Sequence, residues 1–157
     1  MFTASEIVEL GVQVEINGKD FYEELMKKTK DPKVKDLFQY LAEQEEHHIE
    51  LFKKILKTVE NYSPKEAYPE EYFSHMNALA GRYIFTKEKK GIETAKKIKT
   101  PQEALATALA FERESIEFYL GMKKIIPEAN DKLIDMLIEE EKKHVKDLEN
   151  IKDVLAF

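Results

Sequence analysis

The 157 residues carry a net charge of −6, with 43% hydrophobic and 36% charged residues and only five Gly and five Pro. That length suits one domain with a real core, residues 1–157, and the composition describes a compact, helix-rich chain, not a disordered one. The acidic balance leaves no basic face for nucleic acid, and the absence of cysteine excludes disulfides, thiolate zinc sites, iron–sulfur clusters and thiol catalysis. No stretch approaches the roughly 18 apolar residues of a membrane span. The N-terminus, MFTASEIVEL, lacks the basic-then-apolar order of a signal peptide, so the cytoplasm is the expected compartment.

Thr3-Ala4-Ser5-Glu6 reads as a capping box opening a first helix, with Ile7, Leu10, Val14, Phe21 and Leu25 as its apolar positions. Glu15 lies near its middle, with Gly11, Gly18 and Tyr22 on the same face. Each glycine costs a helix roughly 1 kcal/mol relative to Ala, and the pair leaves room beside Glu15 for something bulky. Asp31-Pro32 is an N-cap followed by a first-turn proline. It starts a second helix that runs to about Glu60, antiparallel to the first because the connection is short.

That second helix carries the stripe Phe38, Leu41, Glu45, His48, Phe52, Ile55, whose alternating steps of three and four keep all six side chains on one face. Residues 61–100 break the pattern, with a capping signal at Ser63-Pro64-Lys65-Glu66, a proline at Pro69, and glycines at Gly81 and Gly91. Short helical pieces within a long crossover are expected there, joining parallel helices along the length of a bundle. His75, in this stretch, reads as a surface or packing residue. Thr100-Pro101-Gln102-Glu103 opens a third helix with buried positions Leu105, Ala108, Phe111, Glu112, Ser115, Phe118, Tyr119 and Met122, and Pro127 closes it. The fourth runs from about Asn130 to Leu155 and repeats the stripe as Ile134, Leu137, Glu141, His144, Leu148, Ile151.

The halves match. Glu15, Gly18, Phe21 and Tyr22 fall on Glu112, Ser115, Phe118 and Tyr119, 97 positions on, and Glu45 and His48 fall on Glu141 and His144, 96 positions on. A helical hairpin repeated once predicts an all-α four-helix bundle with one long crossover between helices 2 and 3 and an internal two-fold repeat. Four inward carboxylates would repel one another and lose their hydration unless positive charge sat among them. Two metal ions supply it, held by Glu15, Glu45, His48, Glu112, Glu141 and His144, with carboxylates able to bridge and each imidazole capping one ion. Mixed oxygen and nitrogen ligation suits iron or manganese, with zinc also possible. A metal-free bundle with a proton-linked polar core is the structural alternative. His47, Glu43, Glu46, Glu139 and Glu140 read as ordinary surface residues. Tyr22 and Tyr119 read either as core aromatics or as hydroxyls that orient ligating carboxylates, and a phenol there could also exchange an electron.

The pattern Glu15-x6-Tyr22, Glu45-x-x-His48, Glu112-x6-Tyr119, Glu141-x-x-His144 resembles the ferritin-like superfamily and, within it, the rubrerythrin-like group, over nearly the whole chain. The resemblance implies a left-handed bundle with two iron ions per chain and a small-molecule oxidant, hydrogen peroxide or dioxygen. Rubrerythrins reduce peroxide with electrons from a rubredoxin-type iron site. This chain has no Cys, so the resemblance implies a separate rubredoxin-type electron donor. It also implies a homodimer, in which the 61–100 crossover could allow helices to exchange. Rubrerythrins place a further Glu three residues after the helix-three ligand, where this chain has Ser115. The remaining six-residue set is similar to a bacterioferritin ferroxidase centre, which makes ferroxidase activity with iron binding the alternative expectation.

Overall fold

The structure is a computed structural model that describes residues 3–60 and 87–155. The expected capping signal at 63–66, Pro69, Gly81 and His75 lie outside those residues. The described residues form five α-helices: α1 (Ala4–Lys28), α2 (Pro32–Val59), α3 (Lys90–Lys97), α4 (Pro101–Lys123) and α5 (Asp131–Leu155). No helix among the described residues is long and apolar enough to cross a membrane.

The starts of the helices are where the caps put them. Thr3 Oγ1 accepts from the Glu6 amide at 3.2 Å and Glu6 Oε2 accepts from the Thr3 amide at 2.7 Å, closing the capping box. Asp31 Oδ1 accepts from the amides of Lys33 and Val34, with Pro32 in the first turn. Thr100 Oγ1 caps Glu103, but the Glu103 carboxylate reaches one residue further back, to the Lys99 amide at 2.9 Å. The α4 helix ends at Lys123, four residues before Pro127, and a 3₁₀ turn at Glu128–Asn130 leads into α5.

Helices α1 and α2 form one hairpin, α4 and α5 the other; α1 also packs on α4, and α2 on α5. The Tyr22 hydroxyl meets Glu112, and the Tyr119 hydroxyl meets Glu15. A partner seven residues later on α1 is thus seven residues earlier on α4, so these two helices are antiparallel. It follows that α2 and α4 run parallel, as a long crossover between them requires. The apolar stripes fill the middle. Phe38, Leu41, Phe52 and Ile55 from α2, and Ile134, Leu137 and Leu148 from α5, are all within 1% of full burial. Fully burying one such side chain is worth about 1.5–3 kcal/mol. Ile151, at the end of the second stripe, is only partly buried against this core.

The space beside the two glycines on α1 is filled by side chains of α2 and α4. Gly11 faces Met122 Cε and the Phe52 ring, and a Cβ at Gly18 would run into the Phe111 ring and sit 3.2 Å from Glu45 Oε2. The room beside Glu15 is therefore taken by an aromatic ring and a second carboxylate.

Helix α3 lies along α1, held at both ends. Buried Asn17 donates to the Lys87 carbonyl at 2.6 Å and accepts from the Gly91 amide at 3.1 Å. At the other end, Lys28 Nζ donates to the carbonyls of Ala95, Lys96 and Ile98, gathering acceptors at the helix C-terminus around one cation. Gly91 sits so close to α1 that a Cβ there would collide with the Asn17 backbone. Gly91→Ala is therefore expected to destabilise the protein by about 1–3 kcal/mol and to raise amide exchange across residues 90–97 selectively. Thermal unfolding and hydrogen exchange measure both; wild-type exchange in α3 would contradict the close packing.

Candidate metal centre

Each of the four long helices delivers its polar residues at mid-height: Glu15 and Tyr22 from α1, Glu45 and His48 from α2, Glu112 and Tyr119 from α4, and Glu141 and His144 from α5. All eight are at most 1% exposed. The residues picked out by spacing thus lie together in one buried nest. His48 Nδ1 lies 2.7 Å from Glu141 Oε1 and 3.4 Å from Glu15 Oε2. His144 Nδ1 lies 3.5 Å from Glu112 Oε2, 3.8 Å from Glu141 Oε2 and 3.9 Å from Glu45 Oε1. The two imidazole rings are stacked with centroids 5.8 Å apart.

These approaches lack hydrogen-bond geometry. Among the described residues, the buried side-chain atoms with no hydrogen-bond partner are Asp131 Oδ1 and atoms of this nest alone. The pattern within it is informative. Glu15 and Glu112 each have one oxygen bonded by a tyrosine, Tyr119 and Tyr22 respectively (2.6 Å for Tyr22), and the other oxygen unpartnered. Glu45 and Glu141 have both oxygens unpartnered. Buried polar atoms are almost always satisfied in a folded protein. A cluster of unsatisfied acceptors and ring nitrogens, aimed at one another, fits divalent cations.

The donor atoms fall into two overlapping groups, each within 4.8 Å: Glu15, Glu45, His48 and Glu141, and Glu45, Glu112, Glu141 and His144. Glu45 and Glu141 belong to both. This is the division expected if those two bridge a pair of ions while a Glu and a His close each end.

Protonation shows how the nest balances its charge without metal. Burial raises Glu45 and Glu112 well above the usual carboxylate range, and the neighbouring charge of Glu141 raises both further. Burial opposes ionisation of Glu141 too, but the Glu112 carboxyl and the two imidazoles beside it hold it well below that range. Burial alone would lower the histidines; the carboxylates around them prevail, pushing His48 up to about 12 and His144 to about 10. Burial first, and the carboxylates second, keep both tyrosines protonated, so each remains a hydrogen-bond donor.

Glu140 departs from expectation. Read from the sequence as part of a charged outer face, it places Oε2 2.6 Å from His48 Nε2, with its side chain 37% exposed. It sits one residue before Glu141 and reaches across to the neighbouring helix, a contact that spacing along α5 alone does not reveal. Of the others read as surface, Glu46 pairs with Lys19 at 2.7 Å, Glu139 pairs with Lys142 at 3.1 Å, and Glu43 and His47 are exposed.

A helical bundle with this carboxylate and imidazole nest has the architecture of the ferritin-like carboxylate metal proteins. The chain belongs to the rubrerythrin family, whose model matches residues 6–152. A solved structure, of a candidate ferritin-like diiron-carboxylate protein from Thermotoga maritima, superposes with a TM-score of 0.67 at 25% identity, over 97% of this chain and 95% of that one. An uncharacterised protein of Archaeoglobus fulgidus is 40% identical over 47 residues, which are 30% of this chain and 75% of its own. Family and fold together support a di-iron protein, and the buried Glu/His cluster is where a di-metal site fits.

Two outcomes are expected. The histidine values lie above 6.5 in the folded state, so their contribution to stability is complete below about pH 6.5 and is lost as pH rises toward the folded values. The raised Glu45 and Glu112 act in the same direction, because deprotonation becomes harder on folding. Chelator-treated protein should therefore show an unfolding temperature that declines steadily between about pH 6.5 and 10 by circular dichroism; a rising profile would contradict the charge balance. Secondly, Tyr119→Phe strips Glu15 of its buried donor. It should cost about 1–3 kcal/mol in urea unfolding of the metal-free protein, with Tyr22→Phe doing the same through Glu112.

Proposed function

We propose that this chain is an oxidoreductase that reduces hydrogen peroxide, with dioxygen as a slower oxidant, at two iron ions held by Glu15, Glu45, His48, Glu112, Glu141 and His144. The observation that carries this reading is the pair of overlapping donor groups sharing Glu45 and Glu141, with their unpartnered atoms turned inward. The overall reaction takes one peroxide, two electrons and two protons to two waters, with cleavage of the O–O bond. When bound, the iron pair supplies those electrons, one from each ion, and a template for the oxidant.

The protein's own residues set the conditions. Tyr22 and Tyr119 hold their protons at Oη and occupy one oxygen each of Glu112 and Glu15, leaving a single oxygen of each carboxylate to face inward. Glu45 and Glu141 keep both oxygens available. Phe52 against Tyr119, and Phe38 and Phe111 against Tyr22, close the nest with aromatic rings that exclude water. With no cysteine among the 157 residues, the electrons come from a donor outside them, of the rubredoxin type. We further propose that residues 1–157 act as one ferritin-like domain, as a homodimer, in the cytoplasm.

Ser115 favours a second reading. It is buried and its Oγ donates back to the Phe111 carbonyl at 2.9 Å, so the position supplies no carboxylate to the nest. The six-residue set alone also suits ferroxidase activity, oxidising ferrous ion in an iron-handling protein. Anaerobic titration with ferrous ion should reach an endpoint near two per chain. Stopped-flow mixing of that diferrous protein should then show faster oxidation by peroxide than by air-saturated buffer. Equal or reversed rates would transfer the assignment to the ferroxidase.

A further inference from the structure

The internal repeat makes the two ends of the nest nearly equivalent, so departures from symmetry stand out. Behind His48, Glu140 Oε2 lies 2.6 Å from Nε2. The repeat places Gln44 at the position equivalent to Glu140, and His144 Nε2 is buried with no hydrogen-bond partner among the described residues. The surroundings of His144 differ in kind as well. The Tyr40 ring stands edge-on to the imidazole at 6.1 Å, and Lys143 Nζ lies 5.8 Å above that same ring and 3.5 Å from its hydroxyl. In the repeat, Tyr40 corresponds to Met136 and Lys143 to His47. One imidazole is thus backed by an anion, the other by an aromatic ring carrying a cation.

A carboxylate accepting the outer N–H of a ligating imidazole fixes its tautomer, locks the ring and makes the inner nitrogen a stronger donor. An aromatic ring with a nearby lysine does none of these. We propose that Glu140 is a positioning residue that makes the two metal positions unequal: the one closed by Glu15 and His48 binds more tightly and fills first, and the one closed by Glu112 and His144 fills second. This rests on the di-metal reading above. The shared residues Glu45 and Glu141 serve both positions and cancel in the comparison, which leaves the groups behind the imidazoles as the main difference. Glu140 is partly exposed, so replacing it leaves the core packing in place.

The experiment is a calorimetric titration of metal-stripped protein with cobalt(II), which binds without redox turnover. The native chain should take up two equivalents in separate steps, the first at least about tenfold tighter. Glu140→Ala should weaken the first step by about 10–100-fold and leave the second near its native value. Gln44→Glu should do the converse, tightening the second step and narrowing the gap. A structural role for Glu140 alone would lower the unfolding temperature without separating the steps. Two indistinguishable steps in the native chain, or equal weakening of both in Glu140→Ala, would overturn the proposal while leaving a two-metal centre intact. Failure to bind cobalt at all would overturn the di-metal reading and this inference with it.

Discussion

Four carboxylates lie where water does not reach, and the rest of the structure is arranged around that fact. Moving one ionised carboxylate into a low-dielectric interior costs several kcal/mol even after relaxation, and four of them also repel one another. Protons offer one resolution: the imidazoles become strong bases, Glu45 and Glu112 hold on to theirs, and Glu141 stays ionised between the histidines. Divalent cations offer a better one, because they satisfy oxygen atoms that protons leave without partners. The site is thus in electrostatic tension without metal, and the surrounding apolar stripes supply the stability that lets it persist. Because ligating nitrogens must be deprotonated, loading with metal is also an exchange against protons.

The reciprocal tyrosines convert that tension into geometry. Each belongs to the same helix as one terminal carboxylate and bonds the terminal carboxylate of the other hairpin. The hairpins are therefore cross-linked twice at the level of the site, and neither α1 nor α4 can slide along the other without losing both bonds. A hydrogen bond taken from one oxygen also decides which oxygen remains. The distinction between Glu15 and Glu112 on one hand, and Glu45 and Glu141 on the other, is set by the hydrogen bonds of these two phenols.

Much of this was legible in the sequence. The alternating steps of three and four through Glu45, His48, Glu141 and His144, flanked by large apolar residues, located the buried face on each helix, and all six proposed ligands lie together in the fold. The caps at Thr3, Asp31 and Thr100 fixed the helix starts, since capping is a local matter of one side chain and nearby amides. Glu140 was not legible. Its partner lies on another helix, and along α5 it sits about 100° from Glu141, on what looks like an ordinary charged face. Asn17 was missed for the same reason: its partners are 70 and 74 residues away, on a segment whose path the sequence does not determine. The paired glycines of α1 pointed to a bulky neighbour beside Glu15, and only the packed structure identifies that neighbour as Phe111.

The Asn17 contact also constrains how this chain can vary in length. Its amide gives one hydrogen bond to the Lys87 carbonyl and takes another from the Gly91 amide, so a single side chain measures the distance between two points on the backbone. Gain or loss of one residue between positions 87 and 91 would break one bond or the other, and would swing Gly91 away from the only place where its lack of a side chain is needed. That short interval is consequently closed to insertions and deletions, although it lies in a connection between major helices, where length changes are ordinarily best tolerated.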